Sequence, residues 1–312
     1  MFYSPVPLHI PESFLSLTVA LVFWAITALA VGIAISKTNK SLGEKQVPLM
    51  GVMAAFIFAA QMLNFPVALG TSGHFLGGAL AAIVLGPWAG ILVMTSVIAV
   101  QALLFQDGGL TVMGANIFNM GILTAMIGFG LYRSVSGRSK GVRLTVAGIA
   151  AWLSTVAAAL FTALQLWLSG TSQLQLIILP ILGVHVLIGI GEALMTVTAL
   201  AFIELMRPDL ITQKGTAEKG GRGWVVVGAV MSLVAVLLSP FASANPDGLI
   251  RVAQDMGFFA QGQSAPYQIL PGYAIPFLGQ TPLSKIVAGA IGALVVVGVV
   301  IVIGQGLRKR KS

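Results

Sequence analysis

This 312-residue chain has only three histidines and nine acidic side chains, and no cysteine, with which to do acid–base or metal chemistry at its polar sites. His9 lies in Leu8-His9-Ile10-Pro11-Glu12-Ser13-Phe14, just ahead of a long apolar run, and His74 closes Gly70-Thr71-Ser72-Gly73-His74, just ahead of another. His185 falls inside a third, seven residues before Glu192 in Gly191-Glu192-Ala193-Leu194. The remaining polar islands are Gln106-Asp107-Gly108-Gly109 and Gly114-Ala115-Asn116-Ile117-Phe118-Asn119. Imidazole is a borderline ligand for nickel, cobalt, copper and zinc, and without thiolates a site here is nitrogen-rich. Nitrogen donors in a plane favour Ni(II) or Cu(II). Spacing alone supports equally a bland reading, in which both rings make interfacial hydrogen bonds.

The elements that must position these residues are membrane helices. The chain is 57% hydrophobic and only 8% charged, whereas a soluble domain carries about a quarter charged residues. Apolar runs fall at about 14–36, 47–64, 74–104, 112–132, 144–168, 174–206, 224–241 and 286–304. Basic residues orient spans by marking the cytoplasmic side. Fifteen of the 17 lie in four clusters: Lys37, Lys40 and Lys45; Arg133, Arg138, Lys140 and Arg143; Arg207, Lys214, Lys219 and Arg222; Arg308 to Lys311. Placing all four inside requires an even number of spans between the first and second clusters. The 31-residue run from His74 to Leu104 must then be two helices, hinged at Gly86-Pro87-Trp88. As one helix it would be about 46 Å long at ~1.5 Å per residue, against a hydrocarbon core of ~30 Å. The expectation is an all-α polytopic membrane protein of about nine transmembrane helices, N-terminus outside and C-terminus inside. The +8 charge reads as topology, not nucleic-acid binding, and no removable signal peptide is recognised. The chain divides into a seven-helix part, 1–207, a cytoplasmic linker, 208–222, and a two-helix part, 223–312, with an external loop at 242–285. His9 and His74 then share the external face.

Leu8-His9-Ile10-Pro11-Glu12-Ser13-Phe14-Leu15-Ser16 resembles the Met-His-Ile-Pro-(Asp/Glu)-Gly-Phe-Leu opening of CbiM/NikM proteins. These are the substrate-binding membrane subunits of cobalt and nickel energy-coupling-factor transporters. Gly70–His74 continuing as Leu76-Gly77-Gly78-Ala79-Leu80 is similar too, as are Gly86–Gly90, Gln106–Gly109, Gly114–Asn119 and Gly191–Leu194. The resemblance runs from residue 8 to about 207. Asn245-Pro246-Asp247-Gly248-Leu249 resembles the Pro-Asp-Gly-Leu motif of the two-helix companion subunit, which suggests a fusion, more typical of nickel systems. The resemblance implies that the N-terminal segment folds back into the bundle from outside. His9 would supply its amide and ring nitrogens, His74 a second imidazole, and the preceding residue, Leu8, a terminal amine. The cargo would be Ni(II) or Co(II), which this reading does not separate, and acid should weaken its binding because the ligands must lose protons. The partners would be a coupling transmembrane subunit and separate ATPase subunits in a bacterial or archaeal cell membrane. The chain contains no Gly-x-x-x-x-Gly-Lys-(Ser/Thr) phosphate loop, and it is not expected to be an enzyme.

Other polar residues take supporting roles in this reading. Ser72 is expected to cap a helix beginning at His74. Asn116 and Asn119 are expected to brace the folded-back segment, and Gln106 to border the site or the metal's path. His185 is expected to pack, and Glu192 either to anchor helices or to neutralise a cation on its way. The external loop 242–285 is expected to assist loading, although its donors (Asp247, Asp255, Met256) argue against a second tight site. Two rivals differ in class. One is an autonomous metal permease, which would transport without any ATPase partner. The other is a rhomboid-type intramembrane serine protease, with Ser72 as nucleophile and His185 as base; it leaves His9 and the Gln106–Asn119 stretch unexplained.

Leu8 is internal in this sequence and so offers a peptide nitrogen in place of an amine. Either translation starts at Leu8, or the extension Met1–Pro7 is real and is clipped or changes the ligand set. The first is favoured, since the motif begins there without a gap. Mass mapping of the purified protein's N-terminus is expected to find the chain starting at position 8; a mature chain beginning at Met1 would overturn it.

Overall fold

The computed structural model describes residues 8–41, 46–68, 70–206, 223–263, 267 and 269–309. The extension 1–7, the linker 207–222, Lys45 and the last tail residues fall outside the described residues. Eleven helices appear in chain order: α1 (Leu17–Ser41), α2 (Gln46–Gln61), α3 (Gly78–Leu85), α4 (Pro87–Val100), α5 (Met113–Ile117), α6 (Thr124–Arg133), α7 (Lys140–Leu168), α8 (Leu174–Met206), α9 (Gly223–Leu238), α10 (Gly248–Asp255) and α11 (Pro282–Lys309). The two-residue strands β1 (Phe65–Pro66) and β2 (Ser72–Gly73) pair antiparallel between α2 and α3. Six helical segments are long and apolar enough to cross a membrane; Gln46–Gln61 and Val225–Phe241 are shorter apolar helices. The chain is a helical membrane protein. Its exposed apolar side chains, such as Leu21 and Leu29 on α1 and Leu179 and Leu194 on α8, face outward along these segments, as lipid contact requires.

The run 74–104 is divided as its hinge predicts, with α3 ending before Gly86-Pro87 and α4 starting at Pro87. Proline at the first helical position has no N–H to satisfy there. The third span was expected to begin at His74, but α3 begins only at Gly78. Eight residues make about 12 Å of helix at ~1.5 Å per residue. The stretch from His74 to Gly77 is instead non-helical and buried. Both inner crossings also widen: π-helical turns at Gln101–Phe105 and Phe118–Leu123 follow α4 and α5. Such turns free backbone groups and often mark functional sites.

Small residues let these elements approach. All eight residues of α3 are buried. A Cβ on Gly128 of α6 would lie 2.6 Å from Ala79, and one on Gly90 of α4 would lie 2.9 Å from the Ala82 backbone. Helix α3 is thus clamped by glycine contacts on two sides, the close packing that membrane bundles use in place of a hydrophobic driving force. In the C-terminal part, α9 and α11 both pack on α2: Gly228 faces Val52, and Gly292 and Gly304 face Phe58 and Val47. Lys140 and Arg143 of α7 pair with buried Glu204 near the end of α8.

Gly128→Val should force α3 and α6 apart, an overpacking cost of about 1–3 kcal/mol. Gly130, where an added Cβ would meet nothing within 4 Å, is the control. The expected outcome is a lowered melting temperature in detergent for Gly128→Val and little change for Gly130→Val.

Candidate metal centre

The segment ahead of α1 is irregular and buried, so its backbone must find partners within the bundle. Leu8 N–H donates to Asp107 Oδ1 at 2.6 Å and His9 N–H to the same oxygen at 3.2 Å. Ile10 is bonded twice by one side chain: its N–H donates to Asn116 Oδ1 at 3.0 Å, and Asn116 Nδ2 donates to its carbonyl at 3.2 Å. Gly109 N–H adds a third bond to the Ile10 carbonyl at 3.0 Å. The loop Asp107-Gly108-Gly109 can lie this close because Gly108 has φ +94° and a Cβ there would stand 3.0 Å from His9 Cβ.

His74 is delivered by the second irregular segment. Gln61 of α2 donates to the Leu76 carbonyl at 2.7 Å and accepts from Gln101 at 2.8 Å. Glu192 of α8 accepts from Leu76 N–H at 2.6 Å and Gly77 N–H at 2.9 Å. Both backbone polar groups of Leu76 are therefore met by buried side chains from different helices. Of the two roles expected for Glu192, the geometry is that of an anchor for the His74 segment.

These two segments bring His9 and His74 together. The two residues are 2% and 6% exposed, with ring centroids 5.5 Å apart and planes at 60°. His9 Nδ1 lies 3.2 Å from the Asp107 carbonyl oxygen, and His74 Nδ1 lies 3.0 Å from Asp247 Oδ2. A carbonyl and a carboxylate only accept, so each Nδ1 carries the proton and each Nε2, in the neutral ring, carries a lone pair. Both Nε2 atoms are buried and have no hydrogen-bond partner among the described residues. Burial holds His9, which precedes the first helix, below the ordinary histidine pKa and so favours its neutral ring. A buried lone pair without a partner is costly, and a cation is one group that suits it.

The imidazoles line a small cavity of about 60 Å³, with Leu8, Asn116, Asn119, His185 and Asp247 among its walls. Among the described residues, no three His, Cys, Asp or Glu side chains are grouped to hold a metal. His9 and His74 offer two imidazoles, and a third, His185, lines the cavity with its Nδ1 engaged by the Ile181 carbonyl. In this state the Leu8 and His9 nitrogens are engaged by Asp107.

Several expected roles change. Ser72 caps no helix: its Oγ donates to the Asn245 carbonyl at 2.8 Å, and Gly77 occupies the N-cap position of α3. Its hydroxyl is not bonded to His185, whose Nδ1 lies 2.7 Å from its own helix's Ile181 carbonyl, so the proposed Ser–His dyad is not formed. Asn116 braces the N-terminal segment. Asn119 does not: it exchanges two bonds with Gln165 and donates to Thr162, tying the turn after α5 to α7. Gln106 has φ 58° and borders a larger polar recess of about 170 Å³, which also reaches Leu8, Asp107, Asp247 and Lys285. Sequence reasoning gave no such place to Asp107, Gln61, Tyr273 or Asp247. Tyr273 donates to Asp107 Oδ2 at 2.6 Å. The signal for the two aspartates was present in the motifs Gln106–Gly109 and Asn245–Leu249, but not their target.

The chain matches the family model "Cobalt uptake substrate-specific transmembrane region" over residues 9–210 and a PDGLE domain over 222–309. It is 34% identical over 294 residues to an Archaeoglobus fulgidus protein named for nickel transport as a NikMN fusion, covering 93% of this chain and 95% of that one. It is 28% identical to the fused nickel transport protein NikMN of Rhodobacter capsulatus, covering 94% and 96%. The cobalt transport protein CbiM of Geobacter sulfurreducens is 32% identical over 249 residues, 74% of this chain and 71% of that one. A crystal structure described as a transition metal transporter superposes with a TM-score of 0.59 at 31% identity, covering 68% of this chain and all of that one. With the first two-thirds matched to that model and the remainder to a PDGLE domain, the chain belongs to the CbiM family and carries a PDGLE domain behind its metal-uptake region.

Proposed function

We propose that this chain is the substrate-specific component of an importer for nickel or cobalt, capturing the ion from outside in a site of nitrogen ligands. The observation that carries the reading is the pair of buried imidazoles, His9 and His74, whose Nε2 lone pairs have no partner. Support also comes from relatives named for nickel and for cobalt transport. In this reading His74 and His9 are the imidazole ligands, and backbone nitrogens of Leu8 and His9 join them once they leave Asp107. Histidine binds metal as the neutral ring, so the ion takes the place of any proton on Nε2. Glu192 and Asn116 hold the two ligand-bearing segments, while Asn119, Gln106 and His185 border the site without supplying ligands.

The same reading makes α1 to α4, the α5–α6 unit, α7, α8, α9 and α11 nine membrane passes, α3 crossing together with its non-helical lead-in. The N-terminus is outside, the C-terminus inside and the site near the external face of the cell membrane. The polar recess of about 170 Å³ is then the external approach, and the loop 242–285 takes part in loading. A separate ATPase and coupling subunit drive release to the inside.

His74→Ala should reduce uptake of radioactive nickel or cobalt to background with the protein still inserted and folded; normal uptake would end this reading. Asn116→Ala leaves the Ile10 N–H unsatisfied, at about 1–3 kcal/mol, while the Ile10 carbonyl keeps the Gly109 N–H. Faster deuterium exchange at residues 8–12 and metal affinity reduced about tenfold or more are expected. Asn119→Ala should leave exchange in that segment close to wild type, because its partners lie on α7.

A further inference from the structure

The motif Pro246-Asp247-Gly248-Leu249 lies in the C-terminal part, 173 residues from His74, yet it packs directly behind that ring. Ser72 N–H donates to the Pro246 carbonyl at 2.9 Å and Ser72 Oγ to the Asn245 carbonyl at 2.8 Å. These bonds set 245–247 alongside 72–74 as a short parallel bridge, Ser72 opposite Asp247. Asp247 divides its carboxylate between two tasks. Oδ1 accepts from Leu249 N–H at 3.3 Å, capping α10, while Oδ2 lies 3.0 Å from His74 Nδ1. Gly248 permits the approach, since a Cβ there would come within 2.7 Å of Val184 and 3.3 Å of His185. Leu249 is buried and anchors the turn.

Given the reading of His9 and His74 as ligands, on which this rests, we propose that Asp247 is a positioning residue for His74. Its Oδ2 keeps the ring proton on Nδ1, sets the ring plane and leaves the Nε2 lone pair turned toward the cargo. A carboxylate behind a ligating imidazole fixes the tautomer and makes the ring a better donor. The C-terminal part thereby completes the site without contributing a ligand, which gives the aspartate of the motif a task distinct from metal binding.

The test uses the full chain, purified in detergent with ¹⁵N-labelled histidine, and three variants. Asp247→Ser retains a good helix cap but is too short to reach His74. Asp247→Asn keeps the volume, but its single oxygen serves either Leu249 N–H or His74 Nδ1–H. In the metal-free protein, the ¹⁵N shifts of the His74 ring should report the Nδ1–H form in wild type and a mixture of tautomers in Asp247→Ser. Ni(II) titrations followed by absorption should show affinity lowered about 10–100-fold in Asp247→Ser, with Asp247→Asn between it and wild type. Wild-type tautomer and affinity within about threefold of wild type in both variants, with binding lost in His74→Ala, would overturn the positioning role and leave the ligand reading standing. Undiminished binding in His74→Ala would overturn both. If Asp247→Ser does not fold, the same two readouts on Asp247→Asn decide.

Discussion

Backbone that leaves helical geometry inside an apolar bundle must find hydrogen-bond partners there, because lipid and aliphatic side chains supply none. Two stretches of this chain do leave it, the segment ahead of α1 and the residues from His74 to Gly77. Several buried polar side chains near the two histidines answer one of them. Asp107 and Asn116 take the amides of Leu8, His9 and Ile10. Glu192 and Gln61 take both backbone groups of Leu76, and Gln101 supports Gln61 from the turn after α4. Irregular backbone is expensive at this depth, and what it yields is a chain direction no helix allows: two imidazoles converge from separate segments of the bundle. The glycine contacts that clamp α3 serve the same end, since a helix of eight residues can hold its lead-in steady only if its neighbours hold it.

The C-terminal part is joined to this arrangement at several points. Besides the Asp247 contact, Tyr273 donates to the same aspartate that accepts from Leu8 and His9. Gln263 N–H donates to the Glu12 carbonyl, Leu270 N–H to the Leu104 carbonyl and Ser243 N–H to the Asn64 carbonyl. The loop therefore rests on both histidine-bearing segments and on the ends of α2 and the turn after α4. A displacement of this loop would be felt first by Asp107 and by the ring of His74, since those are the groups it bonds within the site.

What was legible in the sequence follows from which physical signals are local. Apolar length and basic clusters located the helices to within a few residues, because burial in lipid is a property of a contiguous run. Gly86-Pro87 marked a real break, since proline at a helix start has a local cause. The same hydropathy misjudged where α3 begins: His74 to Gly77 reads as span whether helical or extended, and only Gln61 and Glu192, distant in sequence, decide between them. Ser72 illustrates the limit in another form. A serine shortly before an apolar run has the local look of a cap, but a carbonyl at Asn245 takes its hydroxyl. Asn116 and Asn119 share a motif and a helical spacing, yet one faces Ile10 and the other Gln165. Which of them braces the N-terminal segment depends on the π-helical turn at Phe118, which no local pattern announced. The resemblance to metal-uptake proteins pointed to two histidines that the fold does bring side by side, whereas the partners of their Nδ1 atoms lay 98 and 173 residues away and left no trace in spacing.

Charge balance links these observations. In the proposed site neutral imidazoles bring no charge to a divalent ion, a peptide nitrogen brings one only on losing its proton, and a buried ion without full compensation carries a large desolvation cost. With Cys absent, thiolates cannot supply it. The carboxylates near the rings stand one hydrogen bond away: Asp107 on the Leu8 and His9 amides, Asp247 on His74, and Glu192 on the backbone two and three residues beyond. In the proposed site, the Asp247 carboxylate behind His74 stabilises a cation through that ligand while leaving its coordination positions to nitrogen. A carboxylate bound directly would favour harder ions that prefer oxygen. Under the proposed function the arrangement separates two demands that compete in a low-dielectric site: nitrogen donors would set which ion is taken, and a carboxylate behind them would make its burial tolerable. Asp247 comes from the C-terminal part, so the hydrogen bond that orients the His74 ring depends on that part remaining docked.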